Sequence, residues 1–394
     1  LANFDKAIEL EPNYAKAYYS RALTLYQVKW YEKALESFDK ASELMPNIPY
    51  IAGITLSACL HLCKWDGISQ KLKKLASGIE EGKTVSAPFE VAVTELSLAQ
   101  QKQCAEIYIR DRFPPHATSL WNGERYLHNK IRIGYFSADF QNHPTAYLMA
   151  ELFELHDRSK FEITAFSFGS MSSDPMRKRI ESAFDCFIDV STKSDLEIAT
   201  LARSMEIDIA VDLKGFTQHS RTGIFALRPA PIQVNYLGYP STMGASYIDY
   251  IIADSILIPE EHQCYYTEKI AYLPDSYQVN DSSRKVFDKK YTRQEAGLPE
   301  TGFVFCSFNN NYKITPDIFD IWMRLLHKVE ASVLWLYVDN PSAANNLLDE
   351  ARKRGIAEHR LVFAKRIELS DHLARQRLAD LFLDTFYCNA HTTA

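Results

Sequence analysis

Glycine is scarce in this 394-residue chain, with 14 in all, which speaks against a Gly-rich loop wrapped closely around a phosphate. Neither the dinucleotide fingerprint G-x-G-x-x-G nor the P-loop G-x-x-x-x-G-K-[ST] occurs, and there is no D-x-D pair. Oxidoreductases of the usual kind, P-loop kinases and metal-dependent sugar transferases therefore lose weight. Positive charge is not in excess: 44 Lys and Arg stand against 50 Asp and Glu, for a formal net charge of −6. No global basic field is available to recruit nucleic acid or an acidic membrane. Cysteine is sparse, odd in number and scattered, with seven at 59, 63, 104, 186, 264, 306 and 388. That pattern reads as reduced thiols rather than a disulfide framework. No apolar run approaches the ~20 residues of a membrane span, and no signal-peptide pattern opens the chain. A cytoplasmic protein is the expectation.

What is present is the composition of an ordinary globular protein, 46% hydrophobic and 24% charged, long enough for two or three domains. Its first stretch repeats itself. Pro12 and Pro46 close the near-copies FDKAIELEP and FDKASELMP, 34 residues apart. That period, with paired helices, is the tetratricopeptide pattern. The spacing sets Tyr18, Ala22 and Leu25 on one helix face and Ala34, Phe38 and Ala41 on the facing one, which predicts a packed hairpin. Residues 48–112 also read as helical. Within them Cys59, His61 and Cys63 form C-x-H-x-C, but the spacing is wrong for a zinc knuckle and no second Cys/His pair follows. Buried thiols are expected there, and no metal is assigned.

From Lys130 the periodicity changes. Apolar runs at 131–136, 161–168, 187–190, 207–213, 231–238, 247–254 and 269–274 read as strands, with helices predicted at 145–157, 174–184 and 194–204. A polar stretch at 274–302 breaks the alternation. It restarts with strands at 303–308, 332–338, 361–364 and 379–385 and helices at 315–328, 341–354 and 368–378. Alternating strands and helices predict parallel, doubly wound α/β sheets. The expected organisation is a tetratricopeptide segment over 1–47, a helical linker over 48–129, a Rossmann-like lobe over 130–275, a connector over 276–302 and a second lobe over 303–394. Two such domains commonly hold a ligand at the carboxyl ends of their strands.

The loops leaving those strand ends carry the candidate chemistry. His143, at the mouth of the first strand and just before Pro144, could be a base, a proton relay or a sugar hydrogen-bonder, or could cap its own helix. Asp212 could orient a hydroxyl or a histidine, or simply form its turn. Arg221 and Arg228 could face an anion. The loop Leu237 to Gly244, with Gly238, Tyr239 and Pro240, offers backbone N–H groups at close range. In the second lobe Lys313 follows a buried strand, as a point charge on a phosphate would. Thr392 and Thr393 stand where a strand should feed a helix, a place that suits phosphate binding or plain N-capping. Together Lys313 and the threonine pair argue for a diphosphate.

Longer motifs carry a resemblance. IRIGYFSADFQNHPTAYLM, FALRPAPIQVNYLGYPSTMGASYIDYIIAD, FNNNYKI, SVLWLYV and LADLFLDTFYCNAHTT resemble, in order, the catalytic region of the O-linked N-acetylglucosamine transferase family, its bacterial relatives and the plant SPINDLY proteins. The resemblance implies a GT-B glycosyltransferase of two Rossmann-like lobes, the second incomplete here, preceded by tetratricopeptide repeats. It implies inverting, metal-independent transfer of N-acetylglucosamine from UDP-GlcNAc to Ser or Thr of proteins, with no cofactor. Acceptor proteins would be met through the repeats, without nucleic acid or membrane. By the same resemblance His143 is an active-site histidine, Lys313 contacts the diphosphate with Tyr312 beside it, and Thr392 and Thr393 bind phosphate. His391 and Cys388 line the sugar, His372 and Arg375 belong to a nucleotide-contacting segment, and Gly238, Tyr239 and Pro240 belong to a loop closing over the donor. The base that takes the acceptor's proton stays open among His143, Asp212 and a water chain.

Some positions depart from the pattern. Asn310 replaces a longer glutamine near the uracil, Leu369 a lysine near the diphosphate and Ser20 a peptide-binding asparagine of the animal proteins. The His-Pro-Thr after DFQN resembles the N-acetylglucosamine transferases more than the O-fucosyltransferase branch. Transfer of fucose or another hexose, and a non-catalytic repeat scaffold, are the alternative readings. The motifs also predict a chain clipped within its repeats and within its phosphate-binding loop, and so unable to turn over as given.

Overall fold

The computed structural model describes residues 1–392 and resolves into two compact units. The first comprises residues 1–81, 90–96 and everything from 285 onward; the second comprises 82–89 and 97–284.

The first unit opens with five helices: α1 (Ala2–Leu10), α2 (Ala15–Gln27), α3 (Tyr31–Leu44), α4 (Ile51–His61) and α5 (Ile68–Glu80). Ala22, Ala34 and Ala41 are fully buried and let α2 and α3 approach closely, with Leu25 and Phe38 filling the seam. The hairpin face predicted from spacing is the one observed, with Tyr18 packed at its margin. α4 is apolar almost all round and buried from Thr55 to Leu60, as a helix enclosed on every side must be. Cys59 and Cys63 are buried thiols. Two further helices follow, α6 (Pro88–Ala92) and α7 (Leu98–Arg112), the latter in the second unit and started by a Ser97–Gln100 capping box.

The second unit is built on a seven-stranded, wholly parallel sheet: β1 (Ile131–Ser137), β2 (Phe161–Ser167), β3 (Cys186–Asp189), β4 (Ile209–Asp212), β5 (Ile232–Asn235), β6 (Tyr250–Ala253) and β7 (Lys269–Tyr272). Their order is β3-β2-β1-β4-β5-β6-β7. The helices of this lobe are α8 (Pro144–Leu155), α9 (Pro175–Ala183), α10 (Asp195–Ser204) and α11 (Gly223–Ala226). The strands read as continuous apolar runs because the sheet is covered on both faces. Tyr135 meets Phe153 and Phe184 edge-on, while Phe136 stacks on Phe166 at 4.4 Å. Strand order turns outward on either side of β1 and β4, so the loops after these two strands open on a topological switch point.

The first unit's sheet repeats the plan with four parallel strands: β8 (Val304–Ser307), β9 (Val333–Tyr337), β10 (Leu361–Ala364) and β11 (Leu381–Phe382), in the order β10-β9-β8-β11. α12 (Pro316–Lys328), α13 (Pro341–Lys353) and α14 (Leu369–Arg375) flank it. Its switch point lies between β8 and β11. Among the described residues no helix is long and apolar enough to cross a membrane.

Candidate functional site

In the second unit the loops after β1 and β4 bring charge together below the surface. Asp139, with its N–H bonded to Ser137 Oγ at 2.9 Å, is 6% exposed. Lys214, 3% exposed, places Nζ 2.5 Å from Asp139 Oδ2. His143 caps α8, whose first residue Pro144 has no N–H to satisfy. Its Nδ1 accepts the Thr145 N–H at 3.2 Å and stands 3.5 Å from Asp139 Oδ2. Those two neighbours ask for opposite protonation of Nδ1. With Thr145 as donor the ring proton sits on Nε2; with Nδ1–H turned to Asp139, Nε2 is bare and can accept a proton. Burial holds the His143 pKa below the ordinary imidazole range, and the charge of Lys214 works against the raising effect of Asp139. The ring is therefore neutral at pH 7.

Asp212 ends β4 and is engaged by its own turn: Oδ1 accepts the Lys214 N–H at 2.8 Å. Burial pushes its pKa up to about 6, against the opposing pull of the Lys214 and Gly215 N–H groups. The carboxylate that orients the histidine is Asp139. The loop after β5 is fixed by close backbone approach, since a Cβ on Gly238 would stand 1.9 Å from the Leu213 carbonyl oxygen. Tyr239 is buried against Phe216, and Asn235 Nδ2 donates to the carbonyls of Tyr239 and Ser241. Pro240 is half-buried. The two nearby arginines do not stand open to an anion: Arg221 pairs with Asp195 and Arg228 with Asp249.

In the first unit the loops after β8 and β11 meet. Lys313 ends a short 3-10 turn, Asn311–Lys313, and its Nζ donates to the Asn389 carbonyl at 2.8 Å. Cys388 and His391 share its surroundings. Burial raises the Cys388 thiol and Lys313 draws it back. The His391 ring is pushed down to about 4, first by burial and then by the charge of Lys313. Tyr312 is half-buried beside the exposed Asn310, which hydrogen-bonds its hydroxyl.

Asp384 folds the loop that carries these groups. Its Oδ1 accepts the N–H of Thr385 and of Ala390, each at 2.7 Å, and Asn309 Nδ2 at 3.1 Å. Asn389 Nδ2 reaches Oδ2 at 3.2 Å. His372 and Arg375 lie one turn apart on α14. Arg375 Nε donates to His372 Nδ1 at 3.1 Å, Arg375 Nη1 donates to the Lys365 carbonyl, and both side chains pack on Phe308 at the end of β8. Thr392 is half-buried, and Thr393 lies outside the described residues.

Asp139, Lys214, Asn309 and Asp384 are the site residues that sequence reasoning missed. Each sits at or just beyond the polar end of an apolar strand, and that position was the available signal.

Each unit thus carries a cluster at its own switch point: a neutral imidazole beside a buried carboxylate in the second, and in the first a lysine ammonium held by a loop carbonyl, which suits an anionic group. The sequence matches the family model of glycosyl transferase family 41 over residues 116–290 and 288–394. The chain belongs to glycosyl transferase family 41. A tetratricopeptide repeat model matches residues 3–36. Among curated relatives, the Arabidopsis thaliana protein named probable UDP-N-acetylglucosamine–peptide N-acetylglucosaminyltransferase SEC is 34% identical over 352 residues, 84% of this chain and 36% of its own length. The Arabidopsis thaliana protein named probable UDP-N-acetylglucosamine–peptide N-acetylglucosaminyltransferase SPINDLY is 31% identical, over 72% of this chain and 31% of its own length. The Caenorhabditis elegans UDP-N-acetylglucosamine–peptide N-acetylglucosaminyltransferase is 25% identical over 84% of this chain and 40% of its own length. The chain thus spans 31–40% of the length of these relatives. The solved O-GlcNAc transferase of Thermobaculum terrenum superposes with a TM-score of 0.77 at 23% identity, covering 98% of this chain and 74% of that one. The fold is accordingly that of a GT-B glycosyl transferase behind a helical repeat segment.

Proposed function

We propose that this chain is the catalytic region of a protein O-glycosyltransferase that transfers N-acetylglucosamine from UDP-GlcNAc to Ser or Thr hydroxyls. Family membership and the activities for which the relatives are named support the reaction class. The observation that carries the donor assignment is Lys313, an ammonium fixed by Asn389 beside Cys388 and a neutral His391. In the proposed step the acceptor oxygen bonds to the anomeric carbon as the bond from that carbon to the β-phosphate oxygen breaks, with inversion. The electron pair leaves on the diphosphate, where Lys313 meets the developing charge in place of a metal ion. The acceptor's proton goes to His143 Nε2 in the tautomer whose Nδ1–H faces Asp139. Acceptor proteins are recruited through the tetratricopeptide segment, and the reaction runs in the cytoplasm.

Nucleotide protection tests the donor. UDP should raise the melting temperature of the full-length protein while GDP does not, and Lys313→Ala should abolish most of the UDP shift and lower kcat/KM by about 10²- to 10³-fold. Protection by GDP alone would move the assignment to a GDP-sugar donor. An unaltered rate in Lys313→Ala would remove this lysine from the mechanism.

A further inference from the structure

Lys313 is a flexible side chain, and a four-carbon stem holds its charge in place only if its backbone root is fixed. The root is the 3-10 turn Asn311–Lys313, and the first residue of that turn is 1% exposed. Asn311 Nδ2 donates to Asp339 Oδ1 at 2.9 Å and leans on the His61 carbonyl at 3.4 Å. Both partners are acceptors, so the amide has one orientation. From the other side Cys63 Sγ–H points to the Asn311 carbonyl at 3.8 Å. The next residue, Tyr312, meets the His61 ring edge-on at 5.0 Å, and His61 in turn stacks on Tyr31 of α3 at 4.4 Å.

The end of α4 is itself pinned to this lobe. Asn340 Nδ2 donates to the His61 carbonyl at 3.1 Å and Asn346 Nδ2 to the Leu62 carbonyl at 2.8 Å. These are carbonyls that a helix terminus would otherwise leave unpaired. Cys63 closes the helix at φ 50°, a left-handed position where glycine is the usual choice. The Lys64 N–H returns to the Cys59 carbonyl at 2.9 Å, which completes the motif. A cysteine held in that conformation costs about 1 kcal/mol relative to glycine, and here its thiol is the group that reaches Asn311.

We propose that Asn311 is a positioning residue for Lys313, locked by the closing turn of α4 (His61 to Cys63), so that the helical segment following the repeat fixes where the ammonium stands. The inference rests on the donor role given to Lys313 above. A residue that acts only through Lys313 loses its effect when that lysine is gone, whereas a general loss of stability persists. In the full-length protein Asn311→Ala should weaken UDP binding by about tenfold, and by less than about twofold in a Lys313→Ala background. Cys63→Ala, a milder change outside the turn, should show the same pattern with a smaller factor.

A second readout needs no nucleotide. Acylation of lysine amines followed by peptide mass spectrometry should show Lys313 reacting severalfold faster in Asn311→Ala, with Lys353 unchanged. An unchanged Lys313 labelling rate overturns the proposal, and so does a UDP loss of equal size in both backgrounds. If the parent protein binds no UDP, the donor reading fails, and the labelling rate alone decides the positioning role.

Discussion

Lys214 and Asp139 bury opposite charges at 3% and 6% exposure, a combination that is sustainable only as a pair. Removing one partner leaves the other without solvent or counter-charge, which typically costs 3–5 kcal/mol, while replacing both by neutral groups costs far less. Lys214→Met should therefore destabilise the second unit by about 3–5 kcal/mol in urea titrations, and adding Asp139→Asn should recover much of the loss. If the single and double variants melted alike, the pair would not be the buried unit described. The double variant should still be slow in transfer, because a neutral amide in place of the Asp139 carboxylate cannot draw the His143 proton onto Nδ1. At this scale the places of His143 and Lys313, in the loops that leave buried strands, were legible in the sequence. Their governors were not. Asp139 and Lys214 are 75 residues apart in sequence, and only the adjacency of β1 and β4 brings them together.

Among the elements, the loop after β5 depends on one missing side chain. Gly238 lies so close to the Leu213 carbonyl that any Cβ must displace backbone. Gly238→Ala should cost about 1–3 kcal/mol, seen as a lowered urea midpoint. A change under about 0.5 kcal/mol would mean that the two loops are free to part. The strands themselves were readable, because a parallel sheet covered on both faces needs uninterrupted apolar runs. Every expected strand is present, and the commonest difference is at the carboxyl end. Residues 207–213 were expected to pair, whereas β4 is Ile209–Asp212; 303–308 shrinks to Val304–Ser307, and 379–385 to Leu381–Phe382. Leu213, Leu237 and Phe308 are apolar because they are buried in the loops past the sheet, and hydrophobicity alone cannot separate that from pairing. The final helix, expected over 368–378, ends as α-helix at Arg375 and tightens into a 3-10 turn at Gln376–Leu378.

At the scale of a whole unit, buried histidines set the response to acid. The first unit holds His61, His372 and His391, each pushed down to about 4, by burial above all. Unfolded histidine titrates near 6.5, so between about pH 6.5 and 4 the unfolded chain binds protons that the folded unit refuses. The contribution of these rings is full above 6.5 and is lost as the pH falls through that window. Glu90, pushed up to about 7 by burial, works in the opposite direction, but it is one group against three. The first unit should lose stability between pH 7 and pH 5. In NMR titrations the three rings should remain neutral at pH 5, and ordinary titration near 6.5 would refute their burial.

That same unit joins residues 1–81 to residues beyond 285, with the other unit's 97–284 in the interval. On a ribosome moving at about 5–20 residues per second, α4 emerges tens of seconds before the asparagines that pin its last turn. Through that delay Leu56 and Leu60, buried in the finished fold, wait without their full surroundings until residues beyond 285 have been translated.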